Sequence, residues 1–354
     1  MNIGIIGTGP IGLGLAALLS GNGENVLLWS PNRSLQHQAD PDARVVSTGA
    51  VEYEFIPSLV DSAKELVRQC DIIVIAVPAY GFKNVVEQLS PFLRSAHCVI
   101  ISSHVPFAAQ YLQSKLETVN VEPMIVALST TILSGRKASP SKIEIGTIRT
   151  NIEMAVLPDK KKAQGLDICR RLFGDRFTLC DGILAVALGN LNPQNHLGIA
   201  LCNLTRIEKG ETWIQAENIT PAVGRLLEKL DQERLTVASA LNVRTRNIFE
   251  HFSRSFGVPS GSVAEMSKAM LEKGMRGCGP TTLETRYILE DVPYGLVPTI
   301  WLGKVSGVPV PLHQAGVDIF SALIGRDFIA MNELMNELKT TVDSDSSLLK
   351  LIGG

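Results

Sequence analysis

The spacing of apolar residues changes partway along this chain. Up to about residue 180 they come in short unbroken runs separated by glycine, proline or polar turns. Residues 2–7, Val26–Trp29, Asp71–Ala79 and Cys98–Ser103 read as buried strands, the pattern of a parallel sheet covered on both faces. Further strands are predicted at Met124–Leu128, Ile143–Ile145, Asn151–Val156 and Phe177–Leu179. Leu13–Leu19 is a helix-forming run stopped by Gly21-Asn22-Gly23, and Lys160-Lys161-Lys162 marks the exposed start of another helix. The alternation predicts an N-terminal Rossmann-type doubly wound α/β sheet. Beyond residue 181 the period becomes helical. Val223, Leu226, Leu227 and Leu230 fall at i, i+3, i+4, i+7, with Thr220 placed to cap and Pro221 at the first helical position of a helix running to about Leu241. Helices are also expected at 262–273, 312–324 and 327–340, so the second half reads as all-α. The boundary is a change of period without a flexible linker: residues 1–180 as a dinucleotide-binding domain, 181–354 as a helical substrate and catalytic domain, with a cleft expected between them.

The length of 354 residues agrees with two domains, and 45% hydrophobic against 19% charged residues excludes a disordered chain. Lys and Arg number 33, Asp and Glu 35, so the basic excess of a nucleic-acid binder is missing. Mean hydropathy is high at +0.17. Even so, the longest apolar run, Ile72–Tyr80, is strand-sized and contains Pro78, which speaks against a membrane span. The six cysteines form no C-x-x-C pair; they read as buried free thiols in a reducing cytosol, with neither a metal site nor a disulfide framework. The N-terminus enters a motif directly, without the charged start of a signal peptide, so a cytoplasmic location is expected.

That motif is Gly7-Thr8-Gly9-Pro10-Ile11-Gly12, set between a strand and a helix. In this context the first glycine permits a tight turn, Gly9 lets backbone approach a pyrophosphate, and Gly12 lets the helix pack on the strand. The helix N-terminus then offers free N–H groups to phosphate. After the second strand comes Ser30-Pro31-Asn32-Arg33, with no carboxylate before Asp40 to hold a ribose 2′-OH. A hydroxyl, an amide and a guanidinium suit a 2′-phosphate, so NADP(H) is favoured, with NAD(H) also compatible; the alternative is that Arg33 is a solvated cation. Ala76, Val77 and Pro78, on to Tyr80, and Ser102 to His104 follow strand ends and should border the cofactor. His104 is either a nicotinamide-facing group or a plain loop histidine.

Two later segments carry candidate chemistry. In Gly189-Asn190-Leu191-Asn192-Pro193-Gln194-Asn195-His196, Asn192 and His196 share a helix face. Alternatively Asn192 caps the helix and His196 is a satisfied core residue. Glu284-Thr285-Arg286-Tyr287-Ile288-Leu289-Glu290-Asp291-Val292-Pro293-Tyr294-Gly295 is dense in charge and aromatics. Asp291 is suited to orient an imidazole and Arg286 to grip a carboxylate, unless Arg286 and Glu290 are only a local ion pair.

These segments, with Arg206-Ile207-Glu208 through Trp213, Thr220-Pro221-Ala222-Val223 and Leu230-Asp231-Gln232-Glu233-Arg234, resemble the opine dehydrogenase family, which includes octopine, nopaline and N-(1-D-carboxyethyl)-L-norvaline dehydrogenases. The resemblance implies that His196 and Asp291 are a catalytic pair, with Asn192 beside them, and that Arg286 binds substrate carboxylate. It implies joining of an amino acid to a 2-keto acid of the pyruvate or 2-oxoglutarate type, through an imine that NAD(P)H reduces. No metal, nucleic acid or membrane is implied, and a homo-oligomer is compatible. The chain departs from the family at Thr131–Lys137, where a cysteine-arginine pair is often found. Two other readings stand beside it. A single-substrate reductase similar to 2-dehydropantoate 2-reductase would use a lysine, and the nearest here is Lys209. A non-catalytic NADP(H) sensor would not need the His196, Asp291 and Arg286 set.

Overall fold

A computed structural model describes residues 1–32, 44–103, 105–139 and 141–340. The chain forms two compact units, the first Met1–Ala187 and the second beginning at Leu188.

Among the described residues the first unit holds twelve strands: β1 (Asn2–Ile6), β2 (Asn25–Trp29), β3 (Val45–Gly49), β4 (Tyr53–Phe55), β5 (Ser58–Leu59), β6 (Ile72–Ile75), β7 (Cys98–Ile101), β8 (Met124–Leu128), β9 (Leu133–Ser139), β10 (Lys142–Ile148), β11 (Ile152–Leu157) and β12 (Phe177–Leu179). Its helices are α1 (Pro10–Gly21), α2 (Ala63–Gln69), α3 (Ala79–Leu89), α4 (Ala108–Glu117) and α5 (Lys162–Phe173). The main sheet runs β12-β11-β8-β7-β6-β1-β2-β5. Its pairs are parallel except β11 against β8. Every residue of β6, β7 and β8 is buried, as the unbroken apolar runs require. β1 lies between β2 and β6, so the chain switches direction across the sheet at the carboxyl end of β1. That is where open α/β sheets bind ligands.

The structure corrects the sequence reading in places. The strand expected over Asp71–Ala79 ends at Ile75, and α3 begins at Ala79, because Pro78 gives a ladder no N–H and suits the entry to a helix. Ile143–Ile145 lies inside the longer β10, part of an unpredicted second sheet of order β4-β3-β10-β9. That sheet packs over α1, where a Cβ on Gly14 would come within 2.6 Å of Ile145 and 3.0 Å of Leu133. Of the six thiols, Cys70, Cys98 and Cys169 are buried, but Cys202 and Cys278 are exposed. Burial pushes the Cys70 and Cys98 thiols up to about 12, which keeps them protonated and unreactive.

The second unit is helical, apart from a single described bridge between Ile214 and Cys278. Helix α6 (Ile183–Gly189) spans the junction of the units. It is followed by α7 (Asn192–Cys202), α8 (Leu204–Glu208), α9 (Pro221–Ala240), α10 (Ile248–Phe256), α11 (Val263–Glu272) and α12 (Arg286–Leu289). A π-helical turn at Val292–Leu296 leads into α13 (Val297–Ser306), with α14 (Pro311–Ile324) and α15 (Glu333–Thr340) beyond. Thr220 caps α9 as expected, accepting from Val223 N. The helix expected over 327–340 starts only at Glu333: Asp327 Oδ1 takes the N–H of Ala330 into a local turn, and Asn332 Oδ1 then caps the helix by accepting from Met335 N. A buried ion pair holds the unit's middle: Arg234 bonds Asp231 at 2.6 Å and donates to the carbonyls of Leu188 and Arg246, while Asp231 accepts from Ile248 N. No described helix is long and apolar enough to cross a membrane.

Candidate active site

In the first unit the fingerprint forms a bare backbone cradle. Gly7 sits at φ +111°, where an added Cβ would lie 2.4 Å from the Ala76 carbonyl; one on Gly12 would lie 1.9 Å from the Gly7 carbonyl. Neither position admits a side chain. Gly9 is the extended N-cap of α1, and a Cβ there would meet nothing within 4 Å. The open side of the turn thus lies over the free N–H groups at the start of α1. Thr8 is buried, and Pro10 occupies the first turn, where a missing N–H costs nothing, with Ile11 and Gly12 behind it.

The remaining cradle residues fall around this turn. Ala76 N donates to Ile6 O at 2.8 Å, which sets Ala76, Val77 and Pro78 beside it. At the end of β7 the buried Ser102 hydroxyl lacks a partner among the described residues, and Ser103 adopts φ 67°. At the end of β2 the Ser30 hydroxyl donates to Asn32 Oδ1 at 2.6 Å. Arg33 and His104 lie outside the described residues. A turn with no room for side chains, a helix N-terminus and an unused buried hydroxyl fit a dinucleotide pyrophosphate and its ribose.

The second unit brings the two polar segments together across 95 residues of sequence: His196 Nδ1 lies 2.7 Å from Asp291 Oδ2. The side chains are 12% and 6% exposed, so the pair is largely shielded while the imidazole keeps some access. Asp291, as a carboxylate, can only accept. Nδ1 therefore carries the hydrogen, and Nε2 of the neutral ring is left as the basic nitrogen.

The packing that creates this contact is specific. α12 and the π turn both lie on α7, and a Cβ on Gly295 would fall 2.3 Å from Pro193 Cγ. Only glycine lets the π turn, headed by Asp291, approach the first turn of α7 so closely. Arg286 Nε is 3.9 Å from Asp291 Oδ2 with its side chain 53% exposed, leaving most of the guanidinium accessible. Asn192 is the first residue of α7, half-buried, and its side chain is not bonded to that of His196 or Asp291 among the described residues. Nor does it cap: the helix begins one residue earlier than Pro193 suggested, with Leu191 at the N-cap, and Asn190 Oδ1 accepts from Asn192 N at 3.1 Å. Thr131–Lys137 leads into β9, where the exposed Arg136 pairs with Glu144 at 2.8 Å.

Two residues of the site carried no assigned role in the sequence reading. Tyr287 lies flat on His196, ring centroids 3.5 Å apart and planes 9° apart. Its hydroxyl donates to Gln215 Oε1 at 2.6 Å. Burial, reinforced by the nearby Asp291 charge and opposed by Arg286, pushes the phenol up to about 12, so it stays neutral. The Arg-Tyr-x-x-Glu-Asp spacing flagged the segment but gave no sign of the stack.

Residues 179–324 match the family described as NAD/NADP octopine/nopaline dehydrogenase, alpha-helical domain, and residues 3–138 match that described as ketopantoate reductase PanE/ApbA. An opine dehydrogenase of Arthrobacter sp. (strain 1C) is 28% identical, the alignment covering 92% of this chain and 91% of the relative. An octopine dehydrogenase solved with NADH and L-arginine superposes with a TM-score of 0.78 at 15% identity, covering 92% of this chain and 90% of that one. A yersinopine dehydrogenase with NADP+ bound gives 0.72 at 17% identity, covering 100% and 98%.

Proposed function

We propose, from its similarity to opine dehydrogenases along most of the chain, that this protein is an NAD(P)H-dependent oxidoreductase that condenses an amino acid with a 2-keto acid and reduces the product to a secondary amine. The observation that carries this reading is the 2.7 Å contact between His196 and Asp291, formed by segments within the matched helical domain. The amine of the amino acid attacks the keto carbonyl, water leaves, and an imine forms between them. NAD(P)H, when bound, would supply the hydride for the imine carbon, and one proton taken up from solvent completes the secondary amine at nitrogen.

The chain's own residues manage protons and charge. His196 Nε2 takes the proton that the attacking nitrogen releases and returns it to the departing hydroxyl. Asp291 holds the Nδ1 hydrogen throughout and stabilises the imidazolium while it exists. Arg286 offers a planar fork to a substrate carboxylate, and each substrate has one. Asn192, on the same helix, is an additional polar group for the substrate.

For the cofactor we take NADP(H) as preferred, because Ser30, Asn32 and Arg33 stand where a carboxylate would select the unphosphorylated ribose. The similarity to ketopantoate reductases lies within residues 3–138, the part that holds the dinucleotide fingerprint, and the helical half carries no lysine at the His196 position.

The test is to follow NADPH oxidation with pyruvate, 2-oxoglutarate and ketopantoate, each alone and each with a panel of amino acids. Turnover that requires both components and saturates in each is expected. Oxidation with a keto acid alone, indifferent to every amino acid, would replace this reading with a simple reductase.

A further inference from the structure

We propose that Tyr287 is a positioning residue for His196, holding the imidazole plane so that Nδ1 stays on Asp291 and Nε2 stays in the proton-transferring place; this rests on the reading of His196 as the acid–base group.

Three contacts carry the argument. The first is the stack itself. Aromatic pairs of neutral rings prefer offset or edge-on arrangements, yet a centroid separation of 3.5 Å with planes 9° apart leaves almost no offset. The arrangement suits a ring that becomes positively charged, because the negative face of the phenol then lies under the imidazolium. The second contact fixes the tyrosine. Its hydroxyl is held by Gln215, and Gln215 is anchored in turn, its N–H donating to the Gly277 carbonyl at 2.9 Å. Next to it Trp213 Nε1 donates to the Pro280 carbonyl, with Arg206 over the indole. The third is Asp291, which bonds only one edge of the imidazole. One hydrogen bond leaves the ring free to turn about the Cβ–Cγ bond and to exchange its two nitrogens; a flat ring pressed on its face does not.

Among the described residues, the ion-pair contacts at this site bring Asp291 and Arg286 to it. The buried ionisable groups of α9 and α14, which also pack on α7, are closed on one another: Asp231 on Arg234, and Glu233 on His313 at 2.8 Å. The stack is therefore the uncharged constraint on His196, and the phenol ring supplies it; the hydroxyl only holds the ring in place.

The experiment compares Tyr287→Leu with Tyr287→Phe and Gln215→Met in the full chain. Leucine should lower kcat by about 10- to 100-fold while both substrate KM values and the NADPH KM stay within about twofold. Phenylalanine keeps the ring and should restore kcat to within about threefold of the parent, and Gln215→Met should behave like it. ¹⁵N NMR of His196 should show one Nδ1–H tautomer in the parent and in Tyr287→Phe, and a mixture in Tyr287→Leu.

The proposal is overturned if phenylalanine is as damaging as leucine, which would put the role in the hydroxyl. It is also overturned if leucine leaves the tautomer single, whatever its kcat. Thermal unfolding and NADPH binding check that each variant folds, and Tyr287→Met is read in the same way should leucine not fold. If the parent turns over no pair of substrates, the opine reading fails, while the tautomer populations still decide the role of Tyr287.

Discussion

The cofactor turn and the His196 centre are built on opposite principles. Residues 7–12 act through what they lack: no side chain fits at Gly7 or Gly12, and none fills the space over Gly9. The His196 centre consists of side chains, and it exists only because α7 and the turn at Asp291 meet across a sequence separation of 95. A site made of backbone is specified by a six-residue string. A site made of side chains is specified by packing, and Gly295 against Pro193 is the contact on which that packing turns.

The contrast can be broken or sharpened by substitution. The largest effect is expected at the side-chain centre. His196→Ala should lower kcat by roughly 10²–10⁴, the worth of a positioned acid–base group, with NADPH binding by fluorescence unchanged. Asp291→Asn should be similarly damaging, since an amide neither fixes the tautomer nor balances the imidazolium. Normal turnover in His196→Ala would return that residue to a core role.

Next come the two glycines, which should fail in different assays. Gly12→Ala should raise the NADPH dissociation constant at least about tenfold. Gly295→Ala should spare NADPH binding but lower kcat about tenfold and cost about 1–3 kcal/mol of stability by forcing the π turn off Pro193. Loss of cofactor binding in both would erase the distinction.

Smaller still is Arg33→Ala, expected to raise the NADPH KM about tenfold and leave the NADH KM unchanged. NADH preferred by the intact enzyme would overturn the 2′-phosphate reading. The smallest is Thr220→Ala, expected to cost about 1 kcal/mol in denaturant unfolding without touching kcat, since it removes one cap from α9.

The same contrast explains what was readable from sequence. β1, the glycine turn and α1 are encoded by neighbours, and Thr220-Pro221 announces α9, because caps and tight turns are local events. The second sheet was largely invisible: β9 is mostly exposed and polar, β4 has no fully buried residue, and the β3–β10 pairing that joins the two strand pairs links residues far apart in sequence, as Val46 with Lys142. His196 and Asp291 were legible as candidates through the spacing of their own segments. Their contact, and the Tyr287 ring across the imidazole, were not, because a stack depends on the angle between two helices and leaves no periodic trace. The alternative reading of Asn192 as a cap fails for a smaller reason: α7 already includes Asn192, and Leu191 holds the cap position.

The buried pair of Asp231 and Arg234 bears on how this sequence can change over generations. Arg234 has no exposed surface and ties Leu188, Thr245 and Arg246 to α9, while Asp231 holds the first turn of α10. Losing either partner alone strands the other as an uncompensated buried charge, at a cost of about 3–5 kcal/mol, a large fraction of a typical domain's stability. Replacing both by well-packed apolar residues is far less damaging, but that route needs two changes at once. The pair thus resists change at either codon alone and yields only to a coordinated replacement of both.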